Sequence, residues 1–493
     1  MFMRMVYDEK LAQAAYLIGC QRSGEAIVID PERDVDRYIR LAEENGLRIV
    51  ATAETHIHAD FVSGSRELAE RVGAKVYVSD EGDADWKYAW LDKKIGGGRY
   101  DAQLLKDGDT FFVGAIELRA MHTPGHTPEH LMFVVTDRGG GADQPVGVAT
   151  GDFVFVGDLG RPDLLEKAAG QSGAMEPAAR QLFTSIGRLE GIPDFVQVWP
   201  GHGAGSACGK ALGGVPMSTI GYEKRFSPAL RAAATEQEFV DFILSGQPEP
   251  PLYFANMKRD NKLGPPVLGG LPTPDHLTVD AVTRLDPRKI AIVDTRPWPA
   301  FQAGHLEGAI SVPQGRSFTT NAGSVVRDTD EIYLVVDEDR LEESVRDLVR
   351  IGLDRIRGWI SPEDLRAYEA AGGRLATASE VGVTEAALMV REHRVRALDV
   401  RRATEFSEGH VPGATNIAHT RLASRLDELP RDQTLLVYCR SGARSGVASS
   451  LLQRAGFDIV TLAGGMLAWE DAAAPIERSA DRQASDQENT ASA

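Results

Sequence analysis

At 493 residues, with 43% hydrophobic and 26% charged residues, the chain is too long for one domain and too apolar for wholesale disorder. Its 54 Lys+Arg against 72 Asp+Glu leave a net charge of −18, which repels phosphate backbones and anionic lipid, so neither nucleic acid nor a membrane is an expected partner. The cysteines, Cys20, Cys208 and Cys439, are too sparse for a disulfide framework, the N-terminal stretch carries acids where a secretory peptide is apolar, and no eighteen-residue apolar run occurs; a reducing cytoplasmic setting is expected.

In the first 245 residues, alternation at Ile116, Leu118 and Ala120 around Glu117 and Arg119 predicts half-buried strands. Helical patterns fall near Asp36 to Asn45 and Ser63 to Val72, and together they predict an α/β sandwich. Between Ser245 and Asp275 prolines and glycines crowd together, a density that predicts the main linker. After it Asp294-Thr-Arg, Phe301 and Gly304-His-Leu-Glu-Gly-Ala-Ile310 recur as Asp399-Val-Arg, Phe406 and Gly409-His-Val-Pro-Gly-Ala-Thr415, each motif residue standing 105 positions after its counterpart. So long a period means a duplicated domain rather than a solenoid. Apolar strand-like runs (Ala291–Val293, Tyr333–Val336, Ala397–Val400, Thr434–Tyr438) alternate with helical patterns in each copy, predicting α/β modules with mainly parallel sheets. Residues 479–493 are almost free of apolar side chains and are expected to be a disordered tail.

Six of the eleven histidines lie at or before position 202. They gather in short segments after apolar runs: Thr55-His-Ile-His-Ala-Asp-Phe-Val-Ser-Gly64, His122-Thr-Pro-Gly-His-Thr-Pro-Glu-His130, and Pro200-Gly-His-Gly-Ala-Gly205, with Thr150-Gly-Asp152 supplying a carboxylate. Strand ends are rigid enough to aim several ligands at one ion, so the segments point to a metal, although spacing alone does not choose among the histidines.

These motifs resemble the metallo-β-lactamase superfamily over residues 1–265, with His-x-His-x-Asp-His appearing as His56-x-His58-x-Asp60-Phe61. Phe61 departs from the pattern; a phenyl ring offers no lone pair, which leaves the second metal position of hydrolytic members with oxygen ligands and one imidazole. Gly151-Asp-Phe-Val-Phe-Val-Gly-Asp-Leu-Gly-Arg-Pro-Asp163 and Pro251-Leu-Tyr-Phe-Ala-Asn-Met-Lys258 resemble the persulfide dioxygenase branch. That resemblance implies one Fe(II) per chain on His56, His126 and Asp152, the two-imidazole, one-carboxylate set of non-haem iron oxygenases. His58, Asp60, His122, His130 and His202 are then expected to orient ligands or substrate. Arg161 is a candidate for binding a substrate carboxylate through its planar fork, a plain surface salt bridge being the alternative. Cys208, six residues after His202, is a candidate for lying close to the iron and carrying sulfur transiently, an inert buried thiol being the alternative.

The strand Thr434 to Tyr438 runs into Cys439-Arg-Ser-Gly-Ala-Arg-Ser445 at a helix start, where backbone N–H groups, Arg440 and Arg444 favour thiolate over thiol. Arg444 is five positions after Cys439, whereas phosphatases of similar arrangement place the arginine six after; the tighter loop suits a persulfide better than a phosphate. Residues 383–478 thus resemble an active rhodanese domain, and residues 276–378 an inactive one, since Asp337 stands where the nucleophile belongs. The order resembles bacterial fusions that oxidise a small thiol persulfide, such as glutathione persulfide, with O₂ to sulfite, and exchange sulfane sulfur between persulfide, sulfite and thiosulfate. A homo-oligomer is expected. The alternatives are a dizinc thioester hydrolase of the glyoxalase II type and a non-enzymatic sulfur carrier or sensor.

Overall fold

The structure, a computed structural model, describes residues 1–167, 170–210 and 212–478. The expectation for residues 479–493 lies outside them. Two compact units are present, Met1–Leu271 with Val349–Gly352, and Pro272–Leu348 with the chain from Leu353.

The first unit holds two six-stranded sheets. One runs in chain order from Phe2–Asp8 through Gln13–Cys20, Glu25–Ile29, Arg48–Ala53 and Lys75–Ser79 to Ala102–Leu105, antiparallel at first and parallel from Glu25–Ile29 onward. The other runs Ser218–Thr219, Gln197–Pro200, Gly147–Gly151, Leu131–Asp137, Ile116–His122, Thr110–Val113, with one parallel pair between Gly147–Gly151 and Gln197–Pro200. The two-residue period of a strand divides their side chains between faces. Ile27, Ile29, Leu131, Phe133 and Val135 meet between the sheets with Tyr16, Tyr77 and Trp199. Ala26 and Val28 turn outward to Tyr38 and Leu68 of the helices Asp36–Glu44 and Ser65–Val72. Met132 and Val134 turn outward to Leu182 and Phe239 of Met175–Ile186 and Glu236–Leu244. Both faces of each sheet are apolar because both are covered, which gives four layers, helix, sheet, sheet, helix.

One expectation is corrected. The proline- and glycine-rich stretch is not all linker, because the proline-free interval within it forms the helix Phe254–Leu263. Its Asn261 is buried, donates to the carbonyls of His58 and Phe61, and accepts from the Ser63 N–H. One amide side chain thus satisfies three backbone groups of the segment that follows Arg48–Ala53.

The second unit contains the same five-stranded parallel sheet twice. The orders are Asp275–His276, Ile356–Ile360, Glu331–Val335, Ile290–Asp294, Ile310–Ser311, and Glu380–Val381, Ile459–Leu462, Thr434–Tyr438, Val395–Asp399, Thr415–Asn416. The repeated motifs hold each copy's frame: Arg296 grips Asp294 and the Gly304 carbonyl as Arg401 grips Asp399 and the Gly409 carbonyl, each pair spanning 2.6 and 2.7 Å. His305 stacks on Phe301 at 3.8 Å and His410 on Phe406 at 3.6 Å. The copies part at the loop after their fourth strand in chain order, Glu331–Val335 and Thr434–Tyr438. In the first, Val336 and Asp337 lead straight into the helix Glu338–Arg350; in the second, Cys439 to Gly442 form a turn before Ala443–Arg454.

Ala443–Arg454 is buried from Ser445 through Leu452, because its own sheet covers one side and the first copy the other. Trp298 lies against Gly446, where a Cβ would sit 2.8 Å from the indole, so only glycine allows the approach. The Ser311 N–H donates to the Ser450 hydroxyl at 2.9 Å, and Arg454 donates to the carbonyls of Gly308 and Ile290. Among the described residues no helix is long and apolar enough to cross a membrane.

Asn261→Ala should orphan the three backbone groups that its amide serves and destabilise the first unit by about 2–4 kcal/mol. The measurement is the urea midpoint of that unit's unfolding transition, and a shift of under about 0.5 kcal/mol equivalent would contradict the account.

Candidate metal centre and Cys439 loop

Four strand ends deliver the candidate ligands. His56 follows Arg48–Ala53, His126 lies between Ile116–His122 and Leu131–Asp137, Asp152 follows Gly147–Gly151, and His202 follows Gln197–Pro200. All four side chains are buried. The ligand atoms of His56, His126 and Asp152 lie within 4.8 Å of one another, with His126 Nε2 3.5 Å from Asp152 Oδ2.

Hydrogen bonds behind the rings aim them. His126 Nδ1 donates to the Arg161 carbonyl at 3.1 Å. The Thr55 hydroxyl donates to Asp30 at 2.8 Å, so it accepts from His56 Nδ1 at 3.0 Å. Each ring therefore presents an unprotonated Nε2. Burial and the neighbouring imidazoles push His56 well below the usual imidazole range, and burial lowers His126, so both are neutral donors. Neither oxygen of Asp152 receives a hydrogen bond, although the residue is buried. Two neutral imidazoles facing a carboxylate without a donor fit a divalent cation, which would neutralise the charge and use the lone pairs.

The remaining histidines separate by what they touch. His130 Nε2 accepts the Asp152 N–H at 3.1 Å while Nδ1 faces the Thr123 hydroxyl at 2.9 Å, so its lone pair positions Asp152 and is not free for an ion. His122 donates to the Pro128 carbonyl and closes the turn. His58 faces away, its Nε2 3.2 Å from Asp30 and 3.1 Å from Glu54. Burial alone would lower this imidazole, but the two carboxylates hold it well above its ordinary value. The Ser63 and Ser65 hydroxyls donate to Glu54 and fix that arrangement. His202 donates through Nδ1 to the Ala12 carbonyl and brings Nε2 to 3.1 Å from Asp60 and 3.5 Å from Asp152.

Two sequence expectations need correction. Replacement of the motif's last histidine by Phe61 leaves more than oxygen ligands and one imidazole: Cys208 comes in, and its sulfur joins Asp60 and His202 with all ligand atoms within 4.8 Å. Burial, reinforced by Asp60, pushes the Cys208 thiol up to about 12, so it is a neutral thiol in this arrangement. Phe61, fully buried, packs on the His58 ring at 4.3 Å. Arg161 is neither a surface salt bridge nor free for a substrate carboxylate. It is fully buried, its fork closes on Asp163 at 2.8 and 2.7 Å, and it also donates to the carbonyls of Ala207 and Pro248. Every donor face is occupied, which makes it a strut between the His126 loop and the Cys208 loop.

Beside His126 lies a small, mainly apolar hollow of about 20 Å³, lined by Ile57, Ala59, Trp86, Thr127, Leu164 and Leu165. Lys258 joins the lining with its ammonium 3.9 Å from the Trp86 ring centre, a contact the sequence did not signal.

In the second unit Cys439 is buried at the base of its turn. Its sulfur accepts the Gly442 N–H at 3.2 Å and the Ser445 hydroxyl at 3.6 Å. The turn's outer carbonyls are tied down in turn: Met466 N–H donates to Cys439 O and Leu467 N–H to Arg440 O, at 2.8 and 3.0 Å. That approach requires Gly465, with φ +60° and room for no Cβ, which would meet Cys439 O at 2.4 Å. Arg440 has an exposed side chain, while Arg444 meets Glu405. In the first copy Asp337 is exposed and precedes a first turn bearing Glu338 and Asp339.

Comparison with known proteins agrees with this division. The metallo-beta-lactamase superfamily profile matches residues 9–202, and the rhodanese-like domain profile matches residues 278–355 and 383–472. A crystal structure described as a metallo-beta-lactamase from Staphylococcus aureus subsp. aureus COL is 41% identical, spans 73% of this chain and 99% of its own, and superposes with a TM-score of 0.65. A probable metallo-hydrolase of Burkholderia pseudomallei (strain 1710b) is 31% identical over 253 residues, 48% of this chain and 82% of that protein. The mitochondrial persulfide dioxygenase ETHE1 of Bos taurus is 26% identical over 239 residues, 48% of this chain and 78% of that protein. The chain belongs to the metallo-beta-lactamase superfamily, as a fusion in which that domain, with persulfide dioxygenase homologues, is followed by two rhodanese-like domains.

Proposed function

We propose that the chain is an Fe(II) persulfide dioxygenase coupled to a sulfurtransferase. The observation that carries the reading is the buried set of two neutral imidazoles and one donor-free carboxylate, His56, His126 and Asp152. It would hold Fe(II), which supplies open coordination positions for a persulfide sulfur and O₂. The net reaction is RSSH + O₂ + H₂O → RSH + HSO₃⁻ + H⁺. Around that centre His130 holds Asp152, the Arg161 carbonyl holds His126, and Thr55 holds His56. Cys208 is our candidate for touching the persulfide sulfur, and Lys258, at the hollow beside His126, for meeting an anionic group on the thiol carrier.

At Cys439 the chemistry is sulfane sulfur exchange. Sulfite attacks the outer sulfur of a Cys439 persulfide, the new S–S bond of thiosulfate forms, the old S–S bond breaks, and its electron pair returns to the Cys439 sulfur as thiolate. The Gly442 N–H and Ser445 hydroxyl stabilise that thiolate. We assign the domains as 1–265, 276–378 and 383–478, with the middle one chemically silent.

A second reading has specific support. Asp60, His202 and Cys208, next to Asp152, would accept another ion and make a binuclear hydrolase. Metal analysis decides between them. Anaerobically isolated protein should carry about one iron per chain, and Asp152→Ala should lose both iron and persulfide-dependent oxygen uptake while retaining sulfur transfer at Cys439. Two zincs per chain with thioester hydrolysis and no oxygen uptake would establish the hydrolase instead.

Cys439→Ser should abolish thiosulfate formation from sulfite and persulfide, since a serine hydroxyl is neither ionised at neutral pH nor able to hold sulfane sulfur. Oxygen uptake from a small persulfide should continue in this variant with sulfite accumulating. Asp337→Ala should leave both reactions unchanged, and a loss of sulfur transfer there would contradict the silent-copy assignment.

A further inference from the structure

Arg444, in the first turn of Ala443–Arg454 directly after the Cys439 turn, is half-buried, whereas the side chain of Arg440 is exposed. The Arg444 fork is already occupied. Nη1 and Nη2 donate to the two carboxylate oxygens of Glu405 at 2.6 and 2.8 Å, closing a planar bidentate pair. Glu405 comes from a different element, Ala403–Glu408, and is itself fixed there, accepting the Arg402 N–H at 3.2 Å. Burial alone would raise its carboxyl, but the hydrogen bonds and charge of Arg444 outweigh burial and hold it down to about 2. The pair is absent from the first copy, where Ala300 stands at the position of Glu405 and Asp337 at that of Cys439. The module therefore folds without it, and it accompanies the nucleophile.

A guanidinium whose Nη1/Nη2 edge is closed on a carboxylate offers another anion only its remaining N–H groups and a largely offset charge. We propose that Glu405 is a specificity-determining residue of the Cys439 centre: by occupying the Nη1/Nη2 edge of Arg444 and offsetting its charge it weakens the hold on small inorganic oxyanions, sulfite and thiosulfate alike, so sulfane sulfur is taken from a persulfide carrier in preference to free thiosulfate. This rests on the sulfurtransferase reading of Cys439. Glu405 touches neither the sulfur nor the incoming group; it acts through the charge that Arg444 offers them.

The test is Glu405→Gln in the full-length protein, which keeps the side chain's shape and removes its charge. The first readout does not depend on sulfur transfer. Rates of alkylation of Cys439 by iodoacetate and by iodoacetamide are compared by peptide mass spectrometry, and restricted access cancels in their ratio. The ratio should rise roughly three- to tenfold over the unmodified protein as Arg444 becomes free to attract the anionic reagent. The KM for thiosulfate should fall by a similar factor, with kcat changed by less than about twofold. Glu405→Asp, one methylene too short to span to both nitrogens, should move the ratio in the same direction and serves if the glutamine variant fails to fold. An unchanged ratio in a folded variant overturns the inference. A raised ratio with no thiosulfate turnover in either protein supports the control of anion access and rejects the sulfurtransferase reading.

Discussion

A carboxylate buried with no hydrogen-bond donor at either oxygen, Asp152, sets the terms for the first unit. Uncompensated, such a charge costs several kcal/mol to bury. The surrounding structure does not relieve it with a donor; it holds the carboxylate in place. His130 accepts from the Asp152 backbone, and Arg161, locked on Asp163, lends its own carbonyl to His126. These bonds fix positions and tautomers while leaving Asp152 oxygens and imidazole lone pairs aimed at one point. The parallel pairing of Gly147–Gly151 with Gln197–Pro200 puts Asp152 and His202 at neighbouring strand ends, where they can share that point.

Much of this frame was legible in the sequence. Alternation around Glu117 and Arg119 marks the strand Ile116–His122, the Cys439 turn lies between an unmistakable strand and helix, and the repeat announces two copies of one module. The choice among histidines was not legible, because it depends on partners distant in sequence: Asp30 and Glu54 turn His58 away, and the Asp152 backbone occupies His130. Nor could spacing reveal that Arg161 is buried against the Ala207 and Pro248 carbonyls or that Cys208 meets Asp60, since those contacts come from loops folding back. The helix Phe254–Leu263 was obscured by its prolines, which bracket it without interrupting it. Local pattern fixes elements, whereas the protonation and direction of a buried side chain are set by tertiary neighbours.

The two units solve different electrostatic problems. At the metal centre a negative group awaits a cation. At Cys439 a sulfur is held by a backbone N–H and a hydroxyl, with a nearby guanidinium whose charge is largely offset by Glu405. The first site presents a carboxylate without a hydrogen-bond donor, and the second a sulfur whose neighbouring cation is already paired.

The seating of Trp298 on Gly446 bears on how the duplication can have evolved. The helix behind the nucleophile has no solvent face, because the other copy covers what its own sheet does not. Mutations at Asp337 alter only an exposed loop and are cheap in stability, so chemistry there can drift away freely. Mutations at Trp298, Ser311 or Gly446 disturb a shared wall and cost stability in both copies. The first copy thus supplies the missing half of its neighbour's core, and the second copy cut from the pair would expose to water a helix that is buried here.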